Sequence, residues 1–213
     1  LKFRIHMKKF AFLAFFLATL CCQSAWADEL KDFGTQMSYF YLTPTPEAFE
    51  AFQKNAERWR KELDKAGKGS DVLVAVMIAR ISQKNNWPIS EGMIGLRAKE
   101  IADGQSRLAK YVVDDTQVNA AKLDIWWASF FATGEEIYLA NIFQYAGLEL
   151  PKGDMARMLV IQAASWSFKA NCRQHPKVLA FAKQRLTSPS TSEAQARFIR
   201  DAIAYADTAS PAQ

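Results

Sequence analysis

Thr45-Pro46-Glu47-Ala48-Phe49-Glu50-Ala51-Phe52-Gln53-Lys54-Asn55-Ala56-Glu57-Arg58-Trp59-Arg60-Lys61-Glu62-Leu63 is the most informative stretch of the chain for its architecture. Thr45 is a helix N-cap, Pro46 suits the first helical position, and Glu47 brings an acid to the positive end of the helix dipole. Phe49, Phe52, Ala56, Trp59 and Leu63 then recur at spacings of three and four. That period makes one apolar stripe on an otherwise charged helix. Gly67-Lys68-Gly69 ends it.

The same punctuation continues down the chain. Ser70 caps a segment, Val72 to Ile81, that is apolar nearly all round, so its helix is expected at the centre of the fold. Asn85-Asn86-Trp87-Pro88 breaks it, and Ser90 starts a helix towards Ala102. The stretch from Asp103-Gly104 to Asp115 is ambiguous, a short helix being the expected content. Lys122 to Ala132 follows, with Thr133 to Glu136 reading as a capping box for the next helix, which Gly147 closes. After the turn Leu150-Pro151-Lys152-Gly153, Asp154 caps a long helix through Lys169. Pro176 starts another, and Ser192 to Ala206 is a final amphipathic helix. Asp103-Gly104 lacks the flanking alternation of a hairpin, and no β-alternating run occurs. The expectation is an all-α single domain of about seven to nine helices. Short connections pack them as antiparallel helical hairpins, with a solenoid-like stack as a variant.

Towards the N-terminus the pattern changes. Lys8 and Lys9 precede an unbroken apolar or small run, Phe10 to Cys22, and Ala25-Trp26-Ala27 offers the small residues read by a signal peptidase. A run of about 13 is short for a membrane span, which needs about 20. The expectation is a secretory signal over residues 1–27 (with Leu1 to His6 upstream of the initiator Met7), a helical domain over 28–208 and a frayed tail over 209–213. The mature chain would be exported to the periplasm or beyond, without a stable transmembrane segment. Thr19-Leu20 before Cys21 is a poor match to lipoprotein processing.

Removing residues 1–27 takes away Lys2, Arg4, Lys8 and Lys9 and no acid, leaving 23 basic against 22 acidic residues. A mature chain so near neutrality lacks the basic excess of nucleic-acid binders. Only Cys172 and His175 then remain of their types. One cysteine makes no intramolecular disulfide, and a structural zinc site usually needs four Cys or His ligands, so no metal or cofactor is expected.

Three strings stand out. Leu123-Asp124-Ile125-Trp126-Trp127-Ala128-Ser129-Phe130-Phe131-Ala132-Thr133-Gly134 places four aromatics in six positions, more than one narrow core stripe holds. Trp127, Phe130 and Phe131 read as core, with Trp126 in a seam between helices. The functional alternative is an aromatic pocket or docking face at Trp126, Trp127 and Phe130, with Asp124 as its polar contact. Trp166-Ser167-Phe168-Lys169-Ala170-Asn171-Cys172-Arg173-Gln174-His175-Pro176 sets Cys172 and His175 three apart, the residue types of a thiolate–imidazole pair. The bland reading makes Asn171 a left-handed helix end, His175 the turn before Pro176, and Cys172 a small buried apolar residue. Tyr39-Phe40-Tyr41-Leu42-Thr43-Pro44-Thr45-Pro46, with Phe33 and Met37, makes an apolar arm laid across the bundle, or else an exposed patch. Asp114-Asp115 and Glu135-Glu136 fall in a loop and a first helical turn, and no phosphate loop, nucleophile elbow or His-Glu-x-x-His occurs.

Residues 39–46, 123–134 and 166–176 resemble a loose group of exported bacterial all-helical proteins. These share an aromatic start ending in Pro-x-Pro, a Leu-Asp-x-x-Trp-x-x-Phe-Phe-Ala-Thr-Gly segment and a later Trp-Ser-x-Lys-x-Asn-Cys-x-x-His-Pro. The resemblance implies fold and compartment and carries no activity, ligand or catalytic residue. The leading functional expectation is therefore an exported, non-catalytic helical module for a protein or peptide partner. A small-molecule or lipid-binding domain is the alternative, and an enzyme of unfamiliar type using Cys172 with His175, or Asp124, the third.

Overall fold

A computed structural model describes residues 25–66, 69–116 and 118–208. The apolar export run, the residues before it and the tail 209–213 lie outside the described residues. Everything regular within them is helix: eleven α-helices and one 3-10 turn, with no strand among the described residues. The protein is all-α. None of these helices is long and apolar enough to cross a membrane. Packing gathers the described chain into two compact units, residues 25–141 and residues 142–208.

In the first unit, α1 (Ala25–Tyr39) leads through a 3-10 turn (Phe40–Leu42) to α2 (Pro46–Arg58), and α3 (Arg60–Ala66) follows directly. The residues read as a cleavage site, Ala25-Trp26-Ala27, form the first turn of α1. Thr45 caps α2 as expected, its Oγ1 accepting from the Ala48 amide at 3.1 Å. All five stripe residues, Phe49 to Leu63, are buried. What reads as one helix bends at Trp59. At the bend the Trp59 amide reaches Asn55 and the Leu63 amide reaches Trp59, each at 2.9 Å. The apolar arm lies against this stripe: Phe33 stacks on Phe52 at 5.4 Å, and Phe40 meets both Phe49 and Phe52.

The nearly all-apolar segment forms α4 (Ser70–Asn85), in which Ser70 is the first helical residue and Gly69, not Ser70, stands at the cap; Val74 to Ala79 and Ile81 are all buried. It is the centre of this unit, packed against α5 (Met93–Asp103), α7 (Ala120–Thr133), α2 and α3. The ambiguous stretch resolves into α6 (Arg107–Val113), capped by Ser106, whose Oγ accepts from the Ala109 amide at 2.9 Å.

Two further expected starts are displaced. Ser90 does not cap α5, whose first residue is Met93. The Ser90 amide and hydroxyl both donate to Gln53 Oε1 on α2, at 2.7 and 3.1 Å. The cap of α5 comes instead from Glu57 on α2, whose Oε1 accepts from the Ile94 and Gly95 amides at 2.6 and 3.1 Å. A carboxylate there satisfies two unbonded amides and faces the positive end of the dipole. Gly92 precedes the helix at φ +139, and a β-carbon there would strike the Glu57 side chain. The second displaced start is the box at Thr133. Its hydroxyl donates to Ser129 O at 2.8 Å and accepts from the Glu135 amide, two residues on, so the reciprocal contact with Glu136 is not formed.

The second unit begins within α8 (Glu136–Phe143) and contains α9 (Met155–Gln174), α10 (Pro176–Leu186) and α11 (Glu193–Asp207). Phe168 meets Phe143, Phe181 and Phe198 at 5.6, 6.2 and 6.1 Å, so rings from four helices meet at one core. Asp154 caps α9 through the Arg157 amide at 2.9 Å. Ser192 and Gln195 make the reciprocal capping box of α11. The buried Gln195 side chain also donates to the Phe143 and Ala146 carbonyls left open where α8 unwinds.

Asn171 does not end α9. It lies inside the helix, its side-chain amide donating to Ser167 O one turn back at 2.9 Å. The stop is Pro176. The residue before a proline is driven out of the helical region, and His175 is extended at φ −125 and ψ 108. Proline then opens α10, where a missing amide costs nothing.

Candidate functional site

The aromatic string occupies α7, which packs on α4 on one side and on α1 and the 3-10 turn on another. That double contact explains why aromatics ring the helix. Trp126, Trp127 and Phe130 are 4, 2 and 0 % exposed, so their side chains are packed inside the unit and present no docking surface. Trp127 stacks on Phe131 at 5.6 Å, Phe130 sits beside both, and Tyr41 of the N-terminal arm closes over Phe130 at 5.0 Å. Trp126 does fill a seam: its indole N–H donates to Asp115 in the loop after α6 at 3.2 Å.

Beside it stands a residue that the sequence hides. Lys122 is fully buried. Its ammonium donates to the Tyr111 and Val112 carbonyls at 2.5 and 3.2 Å, lies 3.7 Å from Asp115, and sits 5.0 Å from the Tyr111 ring. Burial pushes its pKa below the ordinary lysine value, opposed by Asp115 and Asp114. Two carbonyls at the end of α6 and a carboxylate use its donors, so this lysine fastens α6 to α7.

Asp124 is half-buried on the same helix. Burial raises its carboxyl to about 6, and its side chain makes no hydrogen bond or ion pair among the described residues. Such a group holds a proton in mildly acidic solution, but chemistry also needs a donor or acceptor facing it. Asp124 lies on the helix that carries Lys122 and Trp126 without joining their cluster with Asp115.

Cys172 and His175 are both buried at the end of α9. Burial pushes the thiol up to about 12 and the imidazole down to about 4. At neutral pH this is a protonated thiol and a neutral imidazole, the opposite of the thiolate that nucleophilic catalysis requires. Among the described residues no three His, Cys, Asp or Glu side chains converge to hold a metal ion.

One polar cleft, about 330 Å³, lies between α1 and α2, lined by Glu29, Asp32, Gln36, Asn55 and Arg58 above Phe33 and Trp59. Its groups face each other: Arg58 pairs with Glu29 at 2.6 Å, and Asn55 donates to Gln36 at 3.4 Å.

The surface that stands out is elsewhere, on α9. Met155, Leu159 and Trp166 are 62, 39 and 52 % exposed. They share the helix face turned away from the buried Val160, Ala164 and Phe168. The apolar residues of α9 wrap its circumference in sequence, so periodicity alone does not say which of them the fold leaves outside. The chain matches no known protein-family profile, no curated protein and no solved structure.

Proposed function

We propose that this chain is an exported, non-catalytic helical module that binds a protein or peptide partner through the outward face of α9. The observation that carries the reading is Trp166, half exposed on a 20-residue helix in line with Met155 and Leu159. Large apolar side chains grouped on one face mark interaction sites, and tryptophan is the residue most enriched where binding energy concentrates. Packing within the first unit accounts for Trp126, Trp127 and Phe130, whereas α9 carries three large exposed apolar side chains in line. The buried thiol and imidazole speak against the enzyme reading. Export enters through the basic, apolar and small-residue succession of residues 8–27.

The test is a photo-crosslinking amino acid placed at Trp166 in the full chain, produced in its native host. A discrete light-dependent adduct at position 166, absent when the probe sits at the exposed Lys183 of α10, supports the reading. No adduct at Met155, Leu159 or Trp166, or the same adducts from Lys183, removes it.

A further inference from the structure

The outward face of α9 runs Met155, Leu159, Gln162, Trp166, Lys169, Arg173, at spacings of 4, 3, 4, 3 and 4. Alternating steps of four and three are the spacing of a coiled-coil seam and line one face for a second helix. Apart from Gln162, the N-terminal part of this face is apolar, and its C-terminal end is cationic. Lys169 Nζ and Arg173 Cζ each lie 5.3 Å from the centre of the Tyr205 ring, and Arg173 donates to the Tyr205 hydroxyl at 3.4 Å. The ring belongs to α11 and holds two cations together at the end of the stripe.

The near balance of charge that remains without residues 1–27 conceals how charge is distributed. From Met155 to Ser192 there are six basic residues (Arg157, Lys169, Arg173, Lys177, Lys183 and Arg185) and no acid. None of the six forms a salt bridge among the described residues. Ion pairs near the end of the chain are made elsewhere, where Arg197 and Arg200 share Glu193. Two successive helices therefore offer cations with no internal counter-charge.

We propose that this face docks an acidic amphipathic helix of a partner protein. Its apolar side chains lie at heptad spacing against Met155, Leu159 and Trp166, and its carboxylates meet Lys169 and Arg173. Complementary charge across such a seam sets partner and orientation. A second copy of this chain fits poorly, because it would bring two cation-only helices together. An anionic membrane surface fits less well, because an interfacial helix buries a broad apolar face in lipid, whereas α9 turns its broad face into its own core and leaves a narrow stripe outside.

The proposal rests on the partner-binding reading of the same face, and the test separates the two. A displayed library of helical peptides with Leu or Ile at heptad positions, and Glu, Gln or Lys randomised beside them, is selected on the full chain and on the K169E/R173E variant. The expected result is at least threefold enrichment of Glu over Lys on the wild type. Selected peptides should bind at least tenfold more weakly to K169E/R173E and lose affinity as salt rises. Unchanged circular dichroism and melting show that the variant is folded; if it is not, R173Q takes its place. Enrichment without charge bias, with the crosslink at position 166 intact, overturns the acidic partner and leaves partner binding standing. No peptide enrichment overturns the proposal as well. If a W166F-sensitive blue shift then occurs on phosphatidylglycerol vesicles, the face is a lipid surface instead.

Discussion

Asp124 and His175 are two buried groups whose protonation pulls stability in opposite directions. Asp124 titrates near 6 in the folded chain against an ordinary 3.8, so the folded state holds its proton more tightly. Its contribution is complete below pH 3.8 and is lost as pH rises through 6. His175 titrates near 4 against 6.5, so its contribution is complete above pH 6.5 and is lost as pH falls through 4. Either displacement is worth about 3 kcal/mol as an upper bound. Asp124→Asn is therefore expected to raise the urea midpoint at pH 8, by about 1–3 kcal/mol in stability, and to change little at pH 4. Between pH 6.5 and 4 the two groups offset each other in the wild type. Acidification should destabilise Asp124→Asn more steeply than wild type, and His175→Gln less steeply. Parallel curves for all three proteins would show that neither group is desolvated as described. At Lys122 the effect is one of lost partners: Lys122→Met leaves two carbonyls without their donor, removes the ion pair to Asp115 and should cost about 2–4 kcal/mol in chemical denaturation.

Among the helices, several are bounded by residues of their own sequence and one is not. Thr45, Asp154 and Ser192 act within a few positions of themselves, and these helix starts are legible without a structure; Ser106 also acts locally, in a stretch whose sequence is ambiguous. The cap of α5 comes from Glu57, 37 positions earlier than the amide it serves. Glu57→Ala should lower the melting temperature by several degrees, for a loss of about 1–3 kcal/mol, while Glu57→Gln keeps part of it. If both substitutions leave the melting temperature unchanged, water caps α5 equally well. The extent of α9 is a similar case. Asn171 has the local chemistry of a helix end, yet proline at 176 is the stronger stop and lets three further residues continue the helix to Gln174.

Over the molecule at large, Phe130 and Trp166 are big aromatics with opposite roles. Phe130 has no exposed surface, so Phe130→Ala is expected to cost about 3–5 kcal/mol. Trp166 packs only in part, and Trp166→Ala should stay within about 1 kcal/mol of wild type in thermal unfolding. A large loss at Trp166 would mean that its exposed face already carries fold stability, contrary to a role in docking.

Local order in the chain suffices for the all-α class, most helix positions, the central place of the apolar segment Val72–Ile81 and the inward stripe from Phe49 to Leu63. These follow from periodicity and capping, which act over a few residues. Which of the many apolar residues stay outside is settled in three dimensions alone. Trp126, Trp127 and Phe130 are the denser string, yet α7 touches neighbours on several sides and buries them. Trp166 lies on a helix that meets its own unit with one face and leaves the other in solvent. The buried Lys122, the remote cap at Glu57 and the ring of Tyr205 beside Lys169 and Arg173 share the same cause: their partners are distant in the chain. Burial and charge pairing are properties of spatial neighbours, and local sequence order does not specify those neighbours.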